Sequence, residues 1–481
     1  MKADWKLNDF KRNMSGTKVA VLGVGISNRP LIRYIHSLGA LITAFDSLEL
    51  TDPVLSNTIS EFEKDGITIE WSCGKNYLSG LSDGHFTYIF RTPKLRPDVP
   101  EILSAVRNGS ILTSEMEVFL ALCPAKIFAV TGSDGKTTTT TLIYEILKQA
   151  GYIVHVGGNI GTPLLDRIET ISESDMVVLE LSSFQLISMR NRIDIAVVTN
   201  VTPNHLDVHL DYEEYINSKK NIFLSQTYSG SLVLNGDNEI TRAMASSARG
   251  KVIYFSSKEQ DSHKPRSSSL IDQAFIKNGF LCYSQKGQLT EIVKTENILI
   301  PGYHNLMNYL AAISAVMPFA DPEHIAEVAK NFGGVEHRIE LVRTLNGVRY
   351  FNSSIDTSPT RTINTMNAMR DRKEHGVLIA GGADKKCSYA GLGKAILDVC
   401  DRVILYGQNS EIIEKVLSDE CDDIKYTVYR TSGYEEAVSL AKSLARSGEI
   451  VILSPAGTSY DHFRHFEERG KLFKKLVSEL E

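Results

Sequence analysis

The sequence lacks the features that define several classes of protein. No stretch of about 18 uninterrupted apolar residues is present, as a membrane-spanning helix would need. Residues 1–14 are polar and mixed in charge, without the apolar segment of a secretory signal. Six cysteines are scattered without C-x-x-C spacing, which argues against disulfides and a zinc site. We therefore expect a cytoplasmic protein with reduced thiols and no membrane partner.

A strong charge imbalance is also absent. The net charge is -6, with 42% hydrophobic and 23% charged residues, and this balance favours no nucleic-acid partner. Internal repeats and low-complexity tracts are lacking too. A chain of 481 residues is too long for one compact core, so its length predicts about three domains.

The most informative segment is a glycine turn between a strand and a helix. It reads Thr131-Gly-Ser-Asp-Gly-Lys-Thr137 and lies between an apolar strand, Lys126–Val130, and a helical run, Thr139–Ala150. In such a turn the backbone N–H groups converge on phosphate oxygens, the lysine reaches the outer phosphates, and the threonine hydroxyl can ligate Mg²⁺. The usual P-loop has a glycine at the position of Val130, so this is a shorter variant. The segment predicts binding of a nucleoside triphosphate.

The first 120 or so residues alternate strands and helices, which predicts a doubly wound parallel sheet. The strand Lys18–Leu22 opens onto Gly23-x-Gly25, and a second strand ends at Asp46. This resembles a dinucleotide fingerprint, but Asn28 replaces its third glycine. A nucleotide-like ligand at this helix N-terminus and a tight turn without a ligand both remain open.

Polar residues follow the strands of the central region. Glu180 closes the strand Met176–Leu181, and a loop carrying Asn204, His205 and Asp207 follows the strand Ile195–Asn200. Taken alone, Glu180 would be interpreted as a solvated residue at the rim of the sheet, and His205 as a hydrogen-bonded loop residue. Together with Thr137 they predict a metal site at the strand ends. Lys219, on a helical run from Tyr212, is from sequence physics alone a solvated helix lysine.

Beyond Gly333-Gly334 a third alternation of strands and helices begins. A serine-rich turn, Ser454–Ser459, follows its last strand and offers hydroxyl and N–H donors to a carboxylate. His304, Asn305 and Asn308 lie in a helix start after Pro301, where they could contact a nucleotide base or serve as caps. We expect an α/β protein of three domains, Rossmann-like in residues 1–122, P-loop-type mononucleotide-binding in 123–334 and Rossmann-like in 335–481.

Five segments together resemble the Mur ligase family, and the resemblance covers essentially the whole chain. They are Thr131–Thr137, Gly157-Gly-Asn-Ile-Gly161, Leu179-Glu-Leu-Ser-Ser-Phe-Gln185, Asn200-Val-Thr-Pro-Asn-His-Leu-Asp207 and His304-Asn305. The family joins amino acids to a peptidoglycan precursor, using ATP to activate a carboxylate as an acyl phosphate. The string Ser454–Gly470 resembles the members that add D-glutamate to UDP-N-acetylmuramoyl-L-alanine.

The resemblance implies a role for each matching residue. For ATP it implies Gly132, Ser133, Asp134, Gly135, Lys136, Thr137, Thr138, Asn305 and Arg338. For two Mg²⁺ ions it implies Thr137, Glu180, His205 and, as a carbamylated lysine, Lys219. For the UDP-linked substrate it implies Ser27, Asp46, Thr92 and Asn159. For D-glutamate it implies Thr357, Lys385, Ser459 and Phe466. Lys136, Glu180, His205 and Lys219 would be the catalytic residues, and we expect a monomer acting on small-molecule substrates.

The sequence departs from the family pattern at three places. Ser353 and Ile355 stand where an aspartate and a lysine are common, and Asp356 is one candidate to compensate. Lys94 replaces a common glycine, and Lys386 competes with Lys385. The alternatives are a related ligase, such as a folylpolyglutamate synthase or a Mur ligase for another amino acid, a nicotinamide-dependent oxidoreductase, and a catalytically inactive nucleotide-binding regulator.

Overall fold

A computed structural model describes residues 2–25, 27–203, 209–259, 271–300, 302–384, 387–420, 425–463 and 465–481. Within it the chain forms two compact units. The first comprises Met1–Thr295 and Met307–Val328, and the second comprises Glu296–Leu306 and Ala329–Glu481. The first unit contains two β-sheets, and the second contains one.

The first sheet has five parallel strands in the order β3-β2-β1-β4-β5. The strands are β1 (Lys18–Leu22), β2 (Leu41–Asp46), β3 (Glu70–Cys73), β4 (Tyr88–Arg91) and β5 (Ile111–Thr113). The helices are α1 (Lys2–Met14), α2 (Asn28–Ser37), α3 (Pro53–Lys64), α4 (Pro100–Arg107) and α5 (Glu115–Leu122). Val19 to Leu22 are fully buried on both faces of β1, as expected for a parallel strand covered on each side.

The second sheet has nine strands in the order β14-β13-β12-β11-β10-β9-β6-β8-β7. The strands are β6 (Lys126–Thr131), β7 (Val154–Gly158), β8 (Met176–Glu180), β9 (Ile195–Val198), β10 (Ser231–Asn235), β11 (Lys251–Ser256), β12 (Gln273–Lys277), β13 (Phe280–Gln285) and β14 (Gln288–Lys294). The helices from here to the second unit are α6 (Lys136–Gln149), α7 (Ser183–Leu186), α8 (Tyr212–Leu224), α9 (Glu239–Met244), α10 (Tyr303–Val316) and α11 (Pro322–Asn331). Strands β6 to β12 pair in parallel, and β12, β13 and β14 pair antiparallel at one edge.

The third sheet has six strands in the order β15-β16-β20-β17-β18-β19, and only β15 is antiparallel to its neighbour. The strands are β15 (Glu340–Leu345), β16 (Val348–Asn352), β17 (Gly376–Gly381), β18 (Cys400–Tyr406), β19 (Thr427–Arg430) and β20 (Ile450–Leu453). The helices are α12 (Pro359–Asp371), α13 (Leu392–Leu397), α14 (Ser410–Glu420), α15 (Tyr434–Leu444) and α16 (Phe466–Ser478). The three parallel-sheet regions confirm the predicted α/β class.

The antiparallel hairpins at the edge of the second sheet were missed by the sequence analysis, although a signal for them exists. Asn278 and Gly279 join β12 to β13 with φ values of 51° and 77°, and Lys286 and Gly287 join β13 to β14 with 50° and 82°. Two consecutive residues with positive φ form the two-residue turn that suits a hairpin, and Asn-Gly is its strongest sequence signal. The short strands β3, β5 and β15 were also missed.

Two expectations drawn from absences can be compared with the structure. No helix in the described part of the chain is long and apolar enough to cross a membrane. Cys73, Cys123, Cys282, Cys387 and Cys400 are free thiols, and Cys421 lies outside the described residues.

A buried arginine holds the end of the third sheet to the last helix. Arg469 of α16 is fully buried, and its guanidinium donates to Ser354 Oγ (3.0 Å), Ser354 O (2.9 Å) and Gly457 O (3.2 Å). These bonds join the loop after β16 to the turn after β20. Removing the donors would leave buried oxygens without partners, which costs more than the net gain of the bonds themselves.

We predict that Arg469→Met lowers the free energy of unfolding of the second unit by about 3 kcal/mol. Arg430→Met is the matched control, because Arg430 is half exposed and pairs with Glu414 at the surface. The control is expected to leave the free energy of unfolding nearly unchanged, because a solvent-exposed ion pair contributes little. Urea denaturation followed by circular dichroism measures both, and equal losses would contradict this role of Arg469.

Candidate active site

The turn between β6 and α6, here called the phosphate loop (Thr131–Thr137), needs glycine at two positions. Gly132 and Gly135 have φ values of 151° and 77°. A Cβ on Gly132 would overlap the Thr199 hydroxyl, and a Cβ on Gly135 would overlap Asn308 Oδ1. The backbone therefore approaches its neighbours as closely as only glycine permits.

The strand end next to β6 fixes the other face of this loop. The N–H of Ser133 donates to Asn200 O (2.9 Å), and the N–H of Asp134 donates to Asn200 Oδ1 (2.9 Å). The Ser133 hydroxyl donates to Thr202 O at 3.0 Å. Thr137 and Thr138 follow in the first turn of α6. These bonds fix the loop against the segment after β9. The loop leads directly into the N-terminus of α6, where backbone N–H groups can bind an anion.

Two lysines meet at the carbonyl group of Gly132. Lys136 Nζ donates to Gly132 O (3.0 Å) and Ser133 O (2.9 Å), and Lys219 Nζ donates to Gly132 O (2.8 Å). Lys219 is 1% exposed, so the prediction from sequence physics alone that this side chain is solvated is wrong. Burial, and then repulsion from Lys136, lower the pKa of Lys219 to about 7. A large fraction of this amine is therefore neutral near neutral pH.

Glu180 lies at the end of β8, where its register partner on β6 is Val130. The side chain is 2% exposed, so it is not a solvated rim residue. Its Oε1 accepts from Asn159 Nδ2 at 2.8 Å, while Oε2 is buried and has no hydrogen-bond partner among the residues that the structure describes. A buried, unsatisfied carboxylate oxygen beside a phosphate loop fits a Mg²⁺ ligand.

The rest of the predicted metal site cannot be assembled from the described residues. His205, together with Asn204 and Asp207, lies outside them. Among the residues that the structure describes, no group of three or more histidine, cysteine, aspartate or glutamate side chains could hold a metal ion.

The predicted substrate residues of the first domain lie at one edge of the first sheet. Asp46, at the end of β2, accepts the N–H of Val24 at 2.8 Å. Gly23 has a φ of 81° and packs so closely on Thr92 that a Cβ would overlap its side chain. Ser27 is the N-cap of α2, and within the described part of the chain its side chain makes no cap bond to the helix. Ser27, Asp46 and Thr92 therefore surround the N-terminus of α2.

In the second unit, the strands β16 and β20 are neighbours, and the predicted amino-acid residues follow their carboxyl ends. Thr357 comes after β16 and Ser459, which is buried, after β20. Phe466 begins α16 and packs edge-on against His337 at 6.1 Å. Lys385 lies outside the described residues, as does Lys386.

Asp356 is buried, and its Oδ2 accepts from the hydroxyls of Ser454 and Thr365, both at 2.7 Å. The carboxylate thereby joins the ends of β16 and β20 to α12. Its compensation for Ser353 and Ile355 stays a prediction. Asn305 and Arg338 also belong to the second unit. Asn305 lies in the first turn of α10, and Arg338 forms an isolated β-bridge with Val335.

The sequence analysis missed one aromatic residue of this site. Tyr215 places its hydroxyl 2.9 Å from Ser133 Oγ, and its ring lies 4.4 Å from Lys219 Nζ. Tyr215 and Lys219 are four residues apart on α8, a spacing at which helix side chains meet. That spacing was the available signal.

These features define an α/β protein of the mononucleotide-binding class, in which a lysine of the phosphate loop and a lysine of α8 meet at one carbonyl group. Two family models match the chain, "Mur ligase middle domain" at residues 130–316 and "Mur ligase, glutamate ligase domain" at residues 337–457. The chain therefore belongs to the Mur ligase family, whose members form amide bonds using ATP. This membership excludes the oxidoreductase alternative.

The chain is similar over its full length to curated relatives named UDP-N-acetylmuramoylalanine--D-glutamate ligase. It is 50% identical to that of Acetivibrio thermocellus, with 99% of each chain covered. It is 47% identical to that of Ruminiclostridium cellulolyticum, again with 99% of each covered. It is 45% identical to that of Clostridium tetani, with 98% of this chain and 99% of the relative covered.

Solved structures support the same fold at low sequence identity. A UDP-N-acetylmuramate-alanine ligase from Thermotoga maritima aligns with a TM-score of 0.54 and 18% identity, covering 96% of this chain and 99% of its own. A UDP-N-acetylmuramoyl-L-alanyl-D-glutamate--2,6-diaminopimelate ligase aligns with a TM-score of 0.54 and 17% identity, covering 92% and 93%.

We predict that Gly135→Ala weakens the binding of a non-hydrolysable ATP analogue by at least about tenfold, because the new Cβ would displace Asn308 and the loop. Gly151→Ala is the matched control, since Gly151 also has a positive φ (92°) but no atom within 4 Å of the added Cβ. The control should bind within about twofold of the unmodified protein. Calorimetric titration measures both, and similar affinities for the two variants would refute the crowding argument.

Proposed function

We propose that this chain joins D-glutamate to UDP-N-acetylmuramoyl-L-alanine in the synthesis of a peptidoglycan precursor, with conversion of ATP to ADP and phosphate. The observation that carries this proposal is the meeting of Lys136 and Lys219 at the carbonyl of Gly132 in the phosphate loop. The full-length similarity to ligases of that name supports the choice of amino acid.

The reaction has two steps. First, a carboxylate oxygen of the UDP-linked substrate attacks the γ-phosphorus of ATP, the bond from that phosphorus to the bridging oxygen breaks, and ADP leaves. Second, the amino nitrogen of D-glutamate attacks the acyl carbon, phosphate leaves with the acyl oxygen, and the nitrogen loses its proton. The attack in the first step brings two anions together, so positive charge around the phosphates lowers its barrier.

The phosphate loop supplies part of that positive charge. Gly132, Ser133, Asp134, Gly135 and Thr138 contribute the backbone of the loop, and Lys136 contributes the ammonium group. Asn305 and Arg338 are the proposed ATP contacts of the second unit, at the base and the γ-phosphate. Two Mg²⁺ ions would be held by Thr137, Glu180, His205 and a carbamylated Lys219, and when bound they would neutralise phosphate charge.

The amino acid would bind in the second unit and the UDP-linked substrate in the first domain. Ser459 would donate a hydrogen bond to a carboxylate of D-glutamate, Lys385 would pair with a carboxylate, and Thr357 and Phe466 would complete the wall. Ser27, Asp46, Thr92 and Asn159 would contact the UDP-linked substrate. We propose that the reaction takes place in the cytoplasm and that the enzyme is a monomer.

Lys219 is suited to carbamylation because its amine is buried and has a lowered pKa. A neutral amine adds to CO₂, forming a nitrogen–carbon bond and releasing one proton. The product is an anionic oxygen ligand where the unmodified side chain is a cation. Its position beside Lys136 would compensate the new negative charge.

We predict a carbamate signal in the ¹³C spectrum of the protein in labelled bicarbonate at about pH 8.5, where an amine with a pKa of about 7 is mostly neutral. The signal should be lost at about pH 5.5, where that amine is protonated. Lys219→Ala should abolish it. Lys220→Ala should retain it, because Lys220 donates to Asn217 at the surface. A signal that survives in Lys219→Ala would disprove the assignment.

We predict that ADP forms only when ATP, UDP-N-acetylmuramoyl-L-alanine and an amino acid are all present, and that D-glutamate is at least about a hundredfold better than L-glutamate, L-lysine or glycine in kcat/KM. Lys136→Ala should reduce kcat by at least about a hundredfold, because a charge at the γ-phosphate is removed. A coupled ADP assay measures these rates. Preference for another amino acid would overturn the proposed specificity, and full activity of Lys136→Ala would overturn the role of the loop.

A further inference from the structure

The segment after β4, here called the substrate loop (Thr92–Asp98), is tied to the central domain by two arginines. Arg91 at the end of β4 is 1% exposed and donates from Nη2 to Phe184 O (3.0 Å) and Ser188 Oγ (2.9 Å). Arg96 within the loop donates from Nη1 and Nη2 to the two oxygens of Glu214, at 3.0 and 2.8 Å. A planar guanidinium binding both oxygens fixes direction as well as distance.

Glu214 lies in the first turn of α8 and gathers several donors. Besides Arg96, its carboxylate accepts the N–H of Leu210 (2.8 Å) and lies 3.3 Å from His209 Nδ1. The bond from Arg96, followed by the smaller effect of Leu210, lowers the pKa of Glu214 to about 2. The carboxylate therefore stays ionised at neutral pH and orients the imidazole of His209.

His209 is buried and holds α7 and α8 together. Its Nε2 lies 2.9 Å from Ser183 Oγ. The ring is stacked on Phe184 with centroids 5.4 Å apart, and it meets Tyr215 edge-on at 5.3 Å. Burial lowers the pKa of His209, so the imidazole is neutral and one ring nitrogen accepts while the other donates.

Tyr215 carries the connection to the ATP site. Its hydroxyl lies 2.9 Å from Ser133 Oγ in the phosphate loop, and its ring lies under Lys219 Nζ at 4.4 Å. Contacts therefore continue without a gap from Arg96 through Glu214, His209 and Tyr215 to Ser133. The path begins at Arg96 in the substrate loop, whose first residue, Thr92, belongs to the proposed site of the UDP-linked substrate. It ends at Ser133, which belongs to the proposed site of ATP.

We propose that Arg96, Glu214 and His209 are positioning residues that couple the substrate loop of the first domain to the phosphate loop and Lys219. A ligand that orders the substrate loop at Thr92 also orders Arg96, and through it the place of Tyr215. A second ligand then finds the phosphate loop already ordered, so each ligand raises the affinity for the other. This inference rests on the proposed function, since it names the two ligands of that same reaction.

The test is the affinity for a non-hydrolysable ATP analogue with and without saturating UDP-N-acetylmuramoyl-L-alanine, measured by calorimetry. In the unmodified protein the UDP-linked compound should raise this affinity about fivefold or more. Glu214→Gln should reduce the ratio to about one, because a neutral amide holds Arg96 and His209 weakly. Binding of either ligand alone should change by less than about threefold.

Arg96→Gln changes the other member of the same ion pair and is the second variant. Like Glu214→Gln, it should reduce the ratio of the two affinities to about one. The double variant should give a ratio no lower than that of either single variant, since each substitution already breaks the pair of Arg96 with Glu214. Asp65→Asn is the matched control, because it breaks an arginine–aspartate pair of 2.9 Å with Arg33 at the surface of the first domain. The control should retain the full ratio, and the melting temperatures of all variants should agree within a few degrees.

Three outcomes would overturn the inference, and they are distinguishable from failure of the proposed function. A ratio near one in the unmodified protein, with both ligands bound, would show that the sites are not coupled. An unchanged ratio in Glu214→Gln and Arg96→Gln would show that coupling takes another path. A lower ratio in Asp65→Asn as well would show a general loss of stability. Absence of any binding of the UDP-linked compound to the unmodified protein would instead refute the proposed function, and the inference with it.

Discussion

The hydrogen bonds of Lys136 and Lys219 to the carbonyl of Gly132 are the interaction on which the site depends. They bring two amines to one backbone oxygen in a place where Lys219 is 1% exposed. Two ammonium groups at such a point repel each other and lack solvation, so the buried one gives up its proton readily. The same arrangement that supplies charge for phosphates thus supplies a neutral amine at the phosphate loop. Glu180, at the end of the neighbouring strand β8, carries an oxygen that has no hydrogen-bond partner among the described residues.

The fold places these groups together because they lie at the ends of neighbouring strands. The strands β6, β8 and β9 are direct neighbours, so their carboxyl ends meet at one edge of the sheet. The turn after β6 is closed by glycines against the segment after β9, and the helix α8 crosses behind it with Tyr215 and Lys219 on one face. Two arginines, one at the end of β4 and one in the segment after it, bind residues at α7 and in α8, which joins the first sheet to helices of the second through partly buried contacts.

Much of the fold was predictable, because the parallel strands are short apolar runs bounded by turns. The bounds of β1 agree with the predicted strand at both ends, and β6 differs from its predicted strand by one residue. The strands that were missed are short, half exposed or paired antiparallel at sheet edges, where the apolar signal is weak. Of the site, the phosphate loop and Glu180 followed from local pattern. His209 and Arg96 did not, because nothing in their immediate sequence distinguishes them from ordinary surface side chains, and the only local signal for Tyr215 was its four-residue spacing from Lys219.

The sequence by itself determined the phosphate loop, the α/β class and the kinship with amide-forming ligases, since each depends on residues that are close together in the chain. Only the tertiary structure decided the state of Lys219, whose neighbours Gly132 and Lys136 lie more than 80 residues away. It also decided the pairing of Arg96 with Glu214, which are separated by 118 positions. The reason is physical: desolvation and charge pairing depend on distance in space, and the local sequence pattern carries no record of that distance.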